Sequence, residues 1–206
     1  MRVVVNAAMS ADGKIALRGG NPLAISDEAD LRRVHDLRAR SDAILVGIGT
    51  VLADDPSLLT KAPGAAKQPM RVVLDSKGQT PPNARVLNGQ ARTLVFVAKG
   101  NQRRMPNAEC VEAGEGRVDL RLALRELAAR GVQSVMVEGG ATIIGAFLRA
   151  SLVDELSIFV APLVVGGGAP SLVEGPGAVD AAHVLRMKLV ESTPLGSGVL
   201  LRFAPR

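Results

Sequence analysis

The chain has 206 residues, 47% of them hydrophobic and 22% charged, with a net charge of +5. This composition excludes a disordered chain, and the length is enough to bury a full core as one domain over residues 1–206. Aromatic residues make up 2%, four Phe with no Trp or Tyr, which excludes an aromatic cage or a stacking platform for bases.

The lone Cys110 cannot form an intramolecular disulfide. His35 and His183 lack the spaced companions of a zinc site, so no metal is expected. The basic residues form only small, scattered clusters, at Arg32 and Arg33, Arg38 and Arg40, and Arg103 and Arg104. That pattern favours a phosphorylated small molecule over nucleic acid, which would be met by a continuous basic stripe. The N-terminal apolar run meets Asn6 and Asp12 too early for a signal peptide, and no apolar stretch reaches the roughly 18 residues of a membrane span. A cytoplasmic protein with no membrane partner is expected.

The β-branched run Val3 to Val5 predicts a buried strand over 2–9, ended by the turn formers Ser10 to Gly13. Asn6 lies inside it. A buried amide either ties down neighbouring backbone or faces a pocket where a ligand completes its hydrogen bonds. Ser26 reads as the N-cap of a helix over 27–40, with acids in its first turn and Leu31, Val34 and Leu37 on an apolar face. Arg38 falls near that face and needs a carboxylate or a phosphate, or else snorkels to solvent.

Residues 43–47, AILVG, predict a second buried strand. A short helical turn follows and ends at Asp54-Asp55-Pro56, where Pro56 holds two carboxylates at a bend, as a cap or as a ligand clamp. A strand over 71–75 runs into Ser76-Lys77-Gly78, a hydroxyl, an ammonium and flexible backbone at a strand's carboxyl end, where α/β sheets bind ligands. Strands over 93–97 and 108–112 come next. A helix over 119–130 then carries Leu120, Leu124, Leu127 and Ala128 on one side and stops at Gly131.

The stretch Gln133–Leu148 organises the chain. A strand from Val135 to Val137 is closed by Glu138, then Gly139 and Gly140, and then a helix running to about Ala150. Helix N-terminal N–H groups after a glycine turn suit a phosphate, and a carboxylate beside them suits a sugar hydroxyl. The same stretch also reads as a plain strand-to-helix turn. Beyond it lie a strand over 155–161, the glycines 166–168 as a close approach or a flexible loop, and two final strands over 186–192 and 198–204 in hairpin connection. Alternating strands and helices imply a mixed, mainly parallel sheet flanked by helices, with an antiparallel C-terminal hairpin. No Gly-x-Gly-x-x-Gly follows the first strand, so the Rossmann fingerprint is absent.

Several runs together resemble the dihydrofolate-reductase-like reductases of riboflavin biosynthesis, the RibD C-terminal domain type. They are S-A-D-G-K-I-A (Ser10–Ala16), R-V-H-D-L-R-A-R-S-D-A-I-L-V-G-I-G-T-V-L-A-D-D-P-S-L (Arg33–Leu58), R-V-V-L-D-S-K (Arg71–Lys77), V-E-G-G-A-T (Val137–Thr142) and L-V-D-E-L-S-I-F-V-A-P (Leu152–Pro162). They cover nearly the whole chain in the family's order and are most similar to its stand-alone archaeal and fungal branch. In bacteria a similar domain usually follows a zinc deaminase, whose motif this sequence does not contain.

The resemblance implies an oxidoreductase in which NADPH reduces the ribosylamino group of a pyrimidine ribosyl phosphate to ribitylamino. It assigns Thr50, Asp54, Ser76, Gly139, Gly140, Ala141 and Thr142 to the cofactor, and the neighbouring ammonium of Lys77 is the candidate reader of its 2′-phosphate. It assigns Ser26, Arg38, Leu58, Lys61 and Glu138 to the substrate, and sets Glu138 and Asn6 beside the reacting sugar. Bacterial relatives commonly carry lysine where this chain has Asn6, and many relatives carry arginine where it has Lys61. A homodimer is implied, with Leu152–Val165 as the interface strand. The alternatives are the deaminated uracil form as substrate, a pterin or folate reductase, a nucleotide sensor without turnover, and a basic nucleic-acid-binding protein.

Overall fold

The computed structural model describes residues 1–206. Nine strands alternate with four helices: β1 (Arg2–Ser10), α1 (Glu28–Arg40), β2 (Ala43–Gly47), α2 (Ile48–Asp54), β3 (Met70–Leu74), β4 (Thr93–Val97), β5 (Glu109–Glu112), α3 (Leu120–Ala129), β6 (Ser134–Gly139), α4 (Ala141–Arg149), β7 (Glu155–Ala161), β8 (Met187–Leu195) and β9 (Gly198–Pro205). The strands are ordered β5-β4-β3-β2-β6-β1-β7-β9-β8. This is the mixed, mainly parallel sheet with an antiparallel C-terminal hairpin that the alternation implies. No helix is long and apolar enough to cross a membrane.

The chain divides into two compact units, His35–Met136 with Met1, and Arg2–Val34 with Val137–Arg206. In the first, β2, β3, β4 and β5 pair in parallel. Every residue of β2 and β4 is buried, as continuous apolar runs in a parallel sheet require. Asp119 caps α3 by accepting from the N–H groups of Arg121 and Leu122. Ala123, Leu124 and Leu127 form its buried face, Ala128 is exposed, and Gly131 at φ 82 follows the helix end. Arg71 on β3 is fully buried. It donates to Thr93 Oγ1, Asn88 Oδ1 and the carbonyls of Arg85 and Ala91, so neutral oxygens tie the 85–93 segment to the strand.

In the second unit β1 pairs with β7 in parallel, β7 with β9 and β9 with β8 antiparallel. β7 therefore has a strand on each side. Of the stretch Leu152–Val165, expected as an interface strand, Leu156–Phe159 and Ala161 are buried, while Leu163 and Val164 beyond the strand are exposed. Exposed apolar side chains also lie on β8, Leu189 and Val190 among them. Leu195 pairs with Gly198, so Gly196 (φ 55) and Ser197 make a two-residue turn.

α1 departs from its expected face. Leu31 is 50% exposed, whereas Asp30 is fully buried. The helix begins at Glu28, and its cap is Asp27, whose Oδ1 accepts from the Asp30 N–H at 2.9 Å. Ser26 is therefore not the N-cap. Asp27 Oδ2 also accepts from the N–H and hydroxyl of Ser197, which fixes the start of α1 to the β8–β9 turn.

Candidate functional site

In the unit His35–Met136 the parallel register sets Gly47 opposite Leu74. α2, which begins at Ile48, and the segment Asp75–Lys77 thus leave the sheet at the same carboxyl rim. Thr50, Asp54, Ser76 and Lys77 lie on these two segments. Asp54 is exposed. Asp55 separates from it: at φ 40 it caps α2, and its Oδ1 accepts from the Arg85 N–H at 2.7 Å. The acid pair is one structural cap and one open carboxylate. Ser76 Oγ accepts from the Val118 N–H at 3.0 Å, which leaves its own hydrogen to donate. Lys77 is exposed and in no ion pair. Asp75 is fully buried; its Oδ2 accepts from the N–H and hydroxyl of Thr80 while Oδ1 has no partner.

The same unit brings Arg38, Leu58 and Lys61 together. Arg38 Nη1 donates to the Leu59 carbonyl at 2.9 Å. Thr60 Oγ1 donates to the His35 carbonyl, and the Lys61 N–H donates to His35 Nδ1 at 3.2 Å. The segment 58–61 is thereby fastened along one turn of α1, with Leu58 buried at φ 53. The Leu59 carbonyl takes one N–H of the Arg38 guanidinium and so helps set its orientation.

In the other unit, β6 ends at Glu138 and Gly139, and Gly140 is the N-cap of α4. Gly139 has φ 123, open to glycine and strained for other residues, and a Cβ there would meet nothing within 4 Å. The turn therefore presents backbone rather than side chains ahead of Ala141 and Thr142. Glu138 is half-buried and Thr142 exposed. The fit of α4 is tight at Gly145, where a Cβ would lie 2.2 Å from the Glu174 carbonyl.

Asn6 is 6% exposed, and its Oδ1 has no hydrogen-bond partner. Its register partner on β7 is Ser157. Ser26 is half-buried, and its hydroxyl donates to Asp30 Oδ2 at 2.5 Å. The glycines 166–168 are not a slack loop, because Asp12 accepts from the Val165 and Gly166 N–H groups at 3.1 and 2.7 Å. The Ser10 hydroxyl and those two N–H groups hold the Asp12 carboxyl down at about 2.

Sequence reasoning missed three groups. Asp30 and Arg33, three apart on α1, were hidden by the apparent apolar stripe, although Ser26 four residues before Asp30 was a usable signal. Asp12 was read as turn chemistry alone. Asp75 was read only as part of a strand end. No group of three or more His, Cys, Asp or Glu side chains is placed to hold a metal ion.

The fold has a solved counterpart in a diaminohydroxyphosphoribosylaminopyrimidine deaminase/5-amino-6-(5-phosphoribosylamino)uracil reductase from Thermotoga maritima. The two are similar with a TM-score of 0.85 and 29% identity over 100% of this chain and 56% of that one. This chain thus spans just over half the length of that protein, and by its fold it is an α/β protein of the same architecture. It belongs to the RibD C-terminal domain family, whose model matches residues 1–201. It is 44% identical to a 2,5-diamino-6-ribosylamino-4(3H)-pyrimidinone 5′-phosphate reductase of Methanothermobacter thermautotrophicus, covering 98% of this chain and 96% of the relative. Its identity to the protein of that name from Archaeoglobus fulgidus is 42%, over 98% and 97% of the two chains.

Proposed function

We propose that this chain is an NADPH-dependent oxidoreductase of riboflavin biosynthesis, reducing the ribosylamino group of a pyrimidine ribosylamine 5′-phosphate to ribitylamino. One observation carries the reading: 44% identity across 96% of the length of a relative named as that reductase. It works in the cytoplasm as a single reductase domain, without nucleic-acid or membrane partners.

The residues fit a dinucleotide. The backbone-lined turn Gly139–Thr142 at the start of α4 suits a pyrophosphate. Thr50, Asp54 and Ser76 offer polar groups at a strand rim, and Lys77 offers an ammonium for the 2′-phosphate. When bound, NADPH supplies the hydride that adds to C1′ of the ring-opened, protonated imine.

The chain's own groups orient and balance charge. Arg38, steadied by the Leu59 carbonyl, binds the substrate phosphate, with Lys61 as a second cation and Leu58 as an apolar wall. Glu138 accepts from ribose hydroxyls. Asn6 Oδ1, buried without a partner, accepts from the protonated imine nitrogen and so stabilises the cation that the hydride neutralises.

The test is to incubate the purified protein with NADPH and the diaminopyrimidinone ribosylamine phosphate and follow nicotinamide absorbance. Substrate-dependent loss supports the reading, and no loss with either this substrate or its uracil counterpart overturns it. A homodimer belongs to the same proposal. β8 ends the strand order and exposes Leu189 and Val190, and light scattering at the monomer mass would remove that part.

A further inference from the structure

Arg103 and Arg104 stand on the connection from β4 to β5 in the unit His35–Met136, both exposed. They open a cavity of about 420 Å³, lined with them by Gln102, Met105, Ala108 and Cys110. No acid lines it. The acids nearest in sequence are engaged elsewhere: Glu109 pairs with Arg92 and Arg130, Glu115 pairs with Lys99, and Glu112 accepts from the Gly100 N–H at 2.8 Å. Arg103 and Arg104 are in no ion pair.

The lining is held by the fold. Arg103 lies over Gly78, its Cδ and Nε 3.7 and 3.6 Å from where a Cβ on that glycine would stand, and its Nη2 donates to the Thr80 carbonyl. Thr80 is fully buried and gives both its N–H and its hydroxyl to Asp75 Oδ2 at 2.7 Å. Gln102 Nε2 donates to the Cys110 carbonyl at 2.7 Å, which ties the connection to β5. Met105, 7% exposed, bridges to Ala108 and supplies an apolar side. A cation already ordered loses less freedom when a ligand arrives.

Two guanidinium forks beside an apolar surface, with no carboxylate to neutralise them, match a doubly charged group with several oxygens. A single carboxylate would balance only one of them, and a nucleic acid would need the cations to continue as a stripe. We propose that this cavity binds a phosphomonoester, with Arg103 as the anchored cation, Arg104 as the second, and Met105 and Ala108 against the organic body. The site stands on its own geometry and does not rest on the reductase reading. Two sources carry such a group: the 2′-phosphate of NADPH and a separate phosphorylated compound.

Cys110, half-buried in the lining and the only cysteine of the chain, reports occupancy without any turnover. Its rate of alkylation by iodoacetamide is measured with rising inorganic phosphate, NADPH or NADH, against chloride at equal ionic strength. Phosphate should slow the reaction saturably, by about tenfold once it stands at about ten times its dissociation constant. Arg103→Ala and Arg104→Ala should each weaken that protection by about tenfold, the scale of one charge-assisted contact. Arg104 holds no other part of the chain, so its variant answers the question even if Arg103→Ala disturbs the connection. Protection by NADPH and not by NADH assigns the site to the cofactor's phosphate, and protection by phosphate with NADPH inert assigns it to a separate ligand; either supports the proposal. Alkylation that phosphate leaves unchanged and NADPH slows no more than NADH overturns it, and so does equal protection in Arg104→Ala and the wild type. A protein that binds phosphate here and reduces no pyrimidine keeps the site and refutes the reductase reading instead.

Discussion

Arg38 and Leu59, 21 residues apart, are joined by a 2.9 Å hydrogen bond from the guanidinium to the backbone carbonyl. The carbonyl takes one N–H and helps set the plane of the guanidinium fork. Arg38→Ala is expected to lower kcat/KM by at least about tenfold, the scale of one charge-assisted hydrogen bond of about 1.5–3 kcal/mol. Arg38→Lys should recover little, because an ammonium cannot bond the carbonyl and a phosphate in the same fixed geometry. Steady-state kinetics of both variants check this, and full recovery by lysine would reduce the role of Arg38 to charge alone.

Glu138 stands at the end of β6, one residue before the Gly139 turn. Glu138→Gln keeps the shape and removes the charged acceptor. Turnover should drop by about tenfold or more while NADPH still binds, on the scale of losing one charge-assisted bond. Calorimetric titration of the variant with NADPH, set beside its rate, separates the two effects.

Lys77 projects from the rim after β3, exposed and in no ion pair. Lys77→Ala should lower the ratio of kcat/KM for NADPH over NADH by about tenfold, with the NADH rate nearly unchanged. An unchanged ratio would remove Lys77 from the cofactor site.

Asp12 and Asp27 each hold one loop by accepting backbone N–H bonds. Their carboxyls are lowered from 3.8 to about 2, Asp12 chiefly by the Ser10 hydroxyl and Asp27 chiefly by the Ser197 N–H. A carboxyl with a depressed folded-state pKa stabilises the fold above its unfolded value and loses that contribution as pH falls through the folded value. Stability should therefore decline between about pH 4 and pH 2, and Asp12→Asn or Asp27→Asn should flatten the decline in that window. Urea unfolding across the window measures it.

The elements were legible where one physical signal dominated. β2 and β4 are unbroken apolar runs, and the observed spans agree with those expected. α3 announces its end with Gly131. The strand, Glu138, glycine pair and helix order emerged as read. α1 was misread on its face because Leu31 and its spaced partners look like a stripe, whereas the helix buries Asp30 against Ser26 and Arg33. Periodicity registers hydropathy, and a satisfied polar chain is invisible to it. Asp27, not Ser26, caps α1, since only tertiary structure brings Ser197 to the same carboxylate. The glycines 166–168 looked slack because their anchor, Asp12, lies more than 150 residues earlier. Long-range partners of this kind are set by the fold, and local pattern does not contain them.

The central claim is hydride delivery to the sugar carbon, and isotope transfer tests it most directly. The protein is incubated with the diaminopyrimidinone ribosylamine phosphate and NADPH deuterated at the transferable position, and the product is examined by mass spectrometry and NMR. The account requires a ribitylamino product carrying deuterium at C1′. Product without the label, or consumption of NADPH with the pyrimidine left unreduced, would contradict it.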